Sequence, residues 1–131
     1  MSGLRPGIRG HAEAEVNETN IASALGSGAL PVFATPSMIA LMEAASQLAV
    51  QPYLEEGQGT VGVHLDVSHL AATPMGLRVR AESELIEIDR RMLRFKVEAW
   101  AGEEKIGEGT HTRCIIYNDR FLEKALAKKD K

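Results

Sequence analysis

Residues 32–46, VFATPSMIALMEAAS, are the stretch that decides the fold of this chain. Thr35 stands where a helix N-cap is expected, and Pro36 takes the first helical position, where its missing N–H costs nothing. The helix is predicted to run to about Val50, because Pro52 discourages its continuation. Its middle turns are apolar nearly all round, which is typical of a helix that other elements wrap.

Five other segments have the composition of β-strands. They cover residues 7–17, 60–70, 76–88, 91–101 and 104–117, and the first carries the weakest signal. IDRRM (88–92) and WAGEEK (100–105) are short connections that predict antiparallel hairpins. Residues 25–33 are expected to form a loop, and a short helix from about Asn118 closes the chain. One strand, a long helix and a meander of four strands predict an α+β fold, with a five-stranded antiparallel sheet wrapped around one central helix.

The bulk properties predict an ordinary globular protein. The 131 residues suit a single domain, 1–131, with frayed ends at 1–5 and 126–131. A formal net charge of −3 gives no electrostatic case for nucleic-acid binding. Cys114 is the one cysteine, so the chain forms neither an internal disulfide nor a Cys-rich zinc site. No apolar run approaches the ~18 residues of a membrane span, and MSGLRPGIRGHAE (1–13) lacks the apolar stretch of a signal peptide. We therefore expect a cytoplasmic protein.

Glu43 is a carboxylate in the middle of the apolar helix, where a charge is costly unless it is paired or solvated. It shares a narrow stripe of the helix surface with Pro36, Ala40 and Gln47. Such a stripe faces either open solvent, or a cleft or second subunit in which the carboxylate is used. The pattern alone leaves both interpretations open.

His69 is the second candidate for chemistry. The strand before it alternates, and His69 continues the face predicted to point inward, which carries Val61, Val63, Leu65 and Val67. Gly62, His64, Asp66 and Ser68 are predicted to lie on the other face. His69 is thus either a satisfied core histidine or a functional one. A glycine within a strand weakens it unless a backbone or ligand approaches closely. The four histidines show no spacing typical of a metal site.

Three ordered motifs carry a resemblance to a known family. They are LPVFATPSMIALMEAAS (30–46), TVGVHLDVSHLAATPMG (60–76) and KIGEGTHTR (105–113). Together they resemble the hotdog-fold thioesterases, and more narrowly the branch typified by fluoroacetyl-CoA thioesterase. The resemblance extends over roughly residues 5–124. It implies the hotdog fold and a homodimer whose two sheets join edge to edge, with active sites at the subunit interface.

The resemblance also implies roles for individual residues. By motif, the catalytic set is Thr35 at the helix start, Glu43 on the helix and His69 at the end of the following strand. Gly62 matches a strand glycine that contacts the thioester region, and Arg113 matches a substrate-side or structural arginine. The implied substrate is an acyl-CoA, and neither a cofactor nor a metal ion is expected.

The acyl pocket and the helix spacing limit this hypothesis. Mid-sized apolar residues, among them Phe33, suggest a short or medium acyl chain. Thr35 and Glu43 are eight positions apart, about 12 Å of rise along a regular helix, so we expect a composite site rather than a direct contact. A non-catalytic module that binds acyl-CoA or an acyl carrier is the alternative. A hotdog dehydratase or hydratase would need an Asp/His pair near a glycine, which is not found.

Overall fold

The computed structural model describes residues 3–130. Its β-strands are β1 (Arg9–Glu15), β2 (Gln58–His69), β3 (Arg78–Asp89), β4 (Met92–Ala101) and β5 (Glu104–Tyr117). Its α-helices are α1 (Ala22–Leu25), α2 (Thr35–Val50) and α3 (Asn118–Leu126), with 3₁₀ turns at Gln51–Tyr53 and Ala127–Asp130. The central helix therefore has the predicted extent. α1 is an addition, since no helix was expected before residue 35.

The strands form one antiparallel sheet in the order β1-β3-β4-β5-β2. The two predicted hairpins are present, β3–β4 and β4–β5, and Arg90 and Gly102 adopt positive φ in their turns. β2 pairs with β5 rather than with β3, so the meander comprises three strands instead of the predicted four. This arrangement leaves β1 and β2 at the two edges of the sheet.

α2 crosses the inner face of the sheet and supplies the centre of the core. Met38, Met42 and Ala45 are fully buried on it. The helix lies close against β1, because a Cβ added at Gly10 would overlap the Ala45 carbonyl oxygen. Across the sheet the buried partners are aliphatic and aromatic: Val79, Ala81, Leu85, Leu93, Phe95, Val97 and Ala99. A curled five-stranded sheet around one long helix is the predicted hotdog architecture, and the prediction is confirmed.

The register of β2 against β5 shifts by one residue between Gly62 and His64. Val63 is the extra residue, and it is 50% exposed. An inserted residue reverses the alternation of a strand, so the predicted inward face is wrong before the shift: Gly62 lies opposite the buried Arg113. Beyond the shift the alternation follows the predicted face, because Leu65 lies opposite the buried His111, but Leu65 itself is 39% exposed.

The two ends of the described chain differ. Leu4 packs against the core, whereas α3 buries none of its residues. Phe121, Leu122 and Leu126 give α3 an exposed apolar face. Met1, Ser2 and Lys131 lie outside the described residues, and the domain boundaries stay a prediction. No helix among residues 3–130 is long and apolar enough to cross a membrane.

Candidate active site

Thr35 and His69 meet at the start of α2 and the end of β2, and we call them the Thr35–His69 pair. The Thr35 hydroxyl oxygen lies 2.7 Å from His69 Nδ1. The predicted cap role is wrong, since Ala34 occupies the cap position and the Thr35 side chain bonds the imidazole instead. Gly107 lies opposite His69, and a Cβ there would overlap the end of the Met38 side chain of α2.

The surroundings of His69 favour a neutral ring. Burial lowers the pKa of His69, and a hydrogen bond to the Ala71 backbone offsets part of that effect. A neutral imidazole with its proton on Nε2 accepts a hydrogen bond at Nδ1 from the Thr35 hydroxyl. Nε2 is buried and has no hydrogen-bond partner of good geometry within residues 3–130. A hydroxyl that donates to a neutral histidine is the arrangement of an activated nucleophile and its base.

The pair opens onto a pocket of about 350 Å³. Its lining is apolar apart from the pair and one serine: Ala22, Ser27, Val32, Phe33, Thr35, His69, Leu70, Ala71 and Ala72. Phe33 is held at the back of this pocket, because its amide donates to the Thr73 carbonyl oxygen and its side chain is buried. Of the predicted substrate-binding residues, Phe33 is therefore beside the pair.

Glu43 lies elsewhere, on α2 where the helix faces β2 and β5. Its carboxylate oxygen Oε2 is 3.7 Å from Arg113 Nη1, and its side chain is 37% exposed. Gly62 faces this carboxylate so closely that a Cβ there would lie 2.5 Å from Oε2. The predicted residues Glu43, Gly62 and Arg113 thus come together, and the need for a glycine in this strand follows from the approach of the carboxylate.

Two residues that the sequence did not single out hold Arg113. Its Nε donates to Thr60 Oγ1 at 2.8 Å, and its Nη2 donates to the Thr60 carbonyl oxygen at 2.9 Å. Its Nη1 lies 3.2 Å from Nε2 of the fully buried His111. Burial lowers the pKa of Arg113, and the charge of Glu43 opposes that effect. Thr60, His111, Arg113 and Glu43 are called the Arg113 cluster below.

The hydrogen bonds of His111 fix its tautomer. Its Nδ1 lies 2.9 Å from the His64 carbonyl oxygen, which only accepts, so Nδ1 carries the proton. Nε2 is then free to accept from Arg113 Nη1. Burial is the main cause that lowers the pKa of His111, with the nearby Arg113 charge adding to it, whereas the His64 bond and Glu43 act in the opposite direction. The ring is therefore neutral at neutral pH.

The predicted catalytic set is thus divided within one chain. Thr35 and His69 are hydrogen-bonded, whereas Glu43 has Arg113 as its ion-pair partner and reaches neither of them among the described contacts. Within residues 3–130 no group of three or more His, Cys, Asp or Glu side chains is arranged to hold a metal ion.

Comparison with known proteins identifies the family. A family model described as fluoroacetyl-CoA-specific thioesterase matches residues 16–119. The chain belongs to this family. Fluoroacetyl-CoA thioesterase of Streptantibioticus cattleyicolor is 44% identical over 97 residues, which cover 74% of this chain and 70% of that protein. The prediction of a hotdog-fold thioesterase of this branch is confirmed, and with it that of a thioester hydrolase.

Solved structures of relatives agree with the family match. A threonine-to-serine variant of the fluoroacetyl-CoA thioesterase FlK, in complex with acetyl-CoA, is 36% identical with a TM-score of 0.88, covering 95% of this chain and 98% of that one. A thioesterase-superfamily protein of Thermus thermophilus is 26% identical with a TM-score of 0.90, covering 99% of this chain and 96% of that one. The family fold therefore extends over nearly the whole chain.

Proposed function

We propose that this protein hydrolyses short or medium acyl-CoA thioesters to the free acid and CoA at the Thr35–His69 pair. The observation that carries the proposal is the 2.7 Å contact between the Thr35 hydroxyl and His69 Nδ1 at the wall of an apolar pocket. A related thioesterase has been solved with acetyl-CoA, which supports an acyl-CoA as the substrate class. Fluoroacetyl-CoA is not assigned as the substrate.

The first step transfers the acyl group to Thr35. His69 Nδ1 takes the hydroxyl proton while Oγ1 attacks the thioester carbonyl carbon, the C–S bond breaks, and the CoA thiolate takes that proton from His69. The N-terminus of α2 carries a partial positive charge, which favours the oxyanion formed in this step. In the second step a carboxylate takes a proton from water, the water oxygen attacks the carbonyl carbon of the acyl ester, the bond from that carbon to Thr35 Oγ1 breaks, and the carboxylate gives its proton to Oγ1.

The carboxylate of the second step is assigned to Glu43 of the partner subunit in a homodimer. Two features of β2 support a dimer joined along this strand. β2 is an edge strand, and Val63 and Leu65 are 50% and 39% exposed on it. Exposed apolar edges are templates for pairing with another chain, and a two-fold interface brings each group of residues to its counterpart. A composite site also accounts for the distance between Thr35 and Glu43 along α2.

Thiol release measured over a panel of acyl-CoAs tests the reaction. Thr35→Ala, His69→Ala and Glu43→Ala are each expected to lower kcat by about 100-fold or more, within the usual range for acid–base and nucleophilic groups. Thr112→Val, which changes the outer face of β5, is the matched control. Full activity in all three alanine variants would defeat the site assignment. Acyl-CoA binding without turnover across the panel would favour the alternative, a non-catalytic binding module.

Co-expression of two inactive variants tests the composite site. Chains carrying His69→Ala and Glu43→Ala form mixed dimers in which one of the two sites keeps both groups, so random pairing restores about a quarter of the wild-type activity. Thr35→Ala mixed with His69→Ala is the control, because both changes affect the same half of a site and nothing is restored. Equal failure of both mixtures would place the complete site within one chain.

The cytoplasmic location of the protein stays a prediction.

A further inference from the structure

The Arg113 cluster has an arrangement that a simple ion pair would not require. Arg113 is 8% exposed, and three hydrogen bonds fix its guanidinium to Thr60 and His111. The guanidinium stops 3.7 Å from the Glu43 carboxylate, within ion-pair range but too far for a hydrogen bond. An unrestrained arginine beside a carboxylate prefers the shorter, two-pronged contact that its planar fork allows.

We propose that Thr60 and His111 are positioning residues that hold the Arg113 guanidinium just short of hydrogen-bonding distance from Glu43. The inference rests on the proposed function, in which the Glu43 carboxylate takes a proton from water. A carboxylate in a direct double contact with arginine has fewer free lone pairs and is a weaker base. The restraint keeps a positive charge near Glu43 while leaving its oxygens open to water.

Each residue of the restraint has a defined part. Thr60 accepts through both its hydroxyl and its backbone oxygen, so it holds the two adjacent N–H groups on one edge of the guanidinium, those of Nε and Nη2. His111 accepts at Nε2 because its Nδ1 proton is committed to the His64 carbonyl oxygen, and its ring stacks on Phe95 with 6.3 Å between centroids. Neither residue lines the pocket beside the Thr35–His69 pair. They act on the reaction only through Arg113 and Glu43.

Two substitutions each remove one of the three hydrogen bonds that hold the Arg113 guanidinium. Thr60→Val removes the Oγ1 acceptor, and His111→Phe removes the Nε2 acceptor while keeping an aromatic ring against Phe95. Each is expected to lower kcat by about tenfold, the size of one lost hydrogen bond to a charged group, with kcat/KM little changed because Glu43 acts after the acyl transfer. Thr60→Ser and His111→Gln retain an acceptor and are expected to recover most of the loss. Thr112→Val, on the neighbouring outward face, is the control.

Two readouts separate positioning from general destabilisation. In Thr60→Val and His111→Phe the acidic limb of the kcat profile, measured with a substrate for which hydrolysis of the acyl-enzyme limits turnover, is expected to move to lower pH, because Arg113 closes on the carboxylate. Crystal structures of the variants are expected to show the distance from Arg113 Nη1 to Glu43 Oε2 shortened from 3.7 Å to hydrogen-bond length. If either variant does not fold, the other and Thr60→Ser carry the comparison.

The outcomes distinguish this inference from the proposed function. A Glu43→Ala variant with full activity would remove the base role proposed for Glu43, and the Arg113–Glu43 distances in the Thr60→Val and His111→Phe structures would then test the restraint alone. An inactive Glu43→Ala variant, combined with an unmoved acidic limb and an unchanged Arg113–Glu43 distance in Thr60→Val and His111→Phe, would overturn the restraint alone. A loss of melting temperature without either change would give Thr60 and His111 a merely structural role.

Discussion

The Thr35–His69 pair and the Arg113 cluster use similar residues in different settings. The pair joins the start of α2 to the end of β2, and the Thr35 hydroxyl donates to His69 Nδ1 at the wall of an apolar pocket. In the Arg113 cluster both nitrogens of His111 are occupied, and only the Glu43 carboxylate is substantially exposed. A hydroxyl paired with a base beside a pocket is placed to meet a substrate, whereas a satisfied network fixes geometry. The first group is therefore suited to bond making and the second to support.

Removal of the Thr35 hydroxyl is expected to have the largest effect on activity, because it disables the group assigned to bond making. Thr35→Val keeps the size and branching of the side chain but leaves His69 Nδ1 without its partner. We expect kcat to fall by about 1,000-fold, because a nucleophile and its base act as one unit. Thr35→Ser retains a hydroxyl and should stay within about tenfold of wild type. Single-turnover kinetics measure the effect on acyl transfer, and a Thr35→Val variant as fast as wild type would exclude Thr35 as the nucleophile.

Crowding of Glu43 is the next largest change and acts on the other group. In Gly62→Ala the new Cβ would lie 2.5 Å from Glu43 Oε2 and 3.1 Å from His111 Cε1, so the carboxylate has to move. A displacement of about 1 Å at a reacting group can cost about 100-fold in rate, and we expect kcat to fall by that amount.

A double-substitution cycle checks that this loss passes through Glu43. In a Glu43→Gln background the carboxylate is already gone, so Gly62→Ala should add little further loss of kcat. Fully additive losses in the two variants would mean that Gly62 acts independently of Glu43. Melting temperatures of all four proteins separate the effect on catalysis from that on stability.

The sequence was sufficient for the central helix and for most strand positions. Pro36 lies in the first turn of α2 and Pro52 lies just beyond its end. The predicted end at about Val50 is the observed one. The hairpins around residues 90 and 102 followed from short polar connections between alternating segments. Local signals of this kind depend on neighbours in the chain, which a single sequence displays.

What could not be predicted depends on contacts between distant segments. The register shift at Val63 leaves no mark in the alternation of β2, and it decides that Gly62 faces Glu43. Because the end of β2 reaches the start of α2, the Thr35 hydroxyl bonds His69 instead of capping the helix. One signal in the sequence of β5 was not used. His111 and Arg113 fall on the same strand face as the apolar Ile115, and this alternation predicts that both side chains point into the core.

A smaller effect is expected from the wall of the pocket, which the Arg113 cluster does not touch. Ala72 lines the pocket beside the Thr35–His69 pair, and Ala72→Leu should narrow it. Since one methylene in an apolar pocket is worth about 10- to 200-fold in discrimination, we expect kcat/KM for a six-carbon acyl-CoA to fall about tenfold relative to acetyl-CoA. Ala125→Leu on the exposed surface of α3 is the control. An unchanged ratio would mean that the acyl chain does not lie along Ala72.

The smallest expected effect concerns stability and pH, and it separates the two groups by their histidines. Burial lowers the pKa of both His111 and His69 in the folded protein. Below the ordinary histidine value, about 6.5, the unfolded chain therefore binds more protons than the folded one, and the free energy of unfolding falls as pH falls. His111 is fully buried, whereas His69 is partly exposed, so His111 should contribute more of this slope.

Urea unfolding at several pH values between 7 and 5 measures this slope. Each group contributes at most one proton, so its slope cannot exceed about 1.4 kcal/mol per pH unit. His111→Phe removes the larger contribution, and its unfolding free energy should depend less on pH than that of wild type, whatever its value at pH 7. Thr112→Val removes no titratable group and should keep the wild-type slope. A slope that disappears in His69→Ala but persists in His111→Phe would assign the dominant titration to the Thr35–His69 pair and reverse the order argued for the two groups.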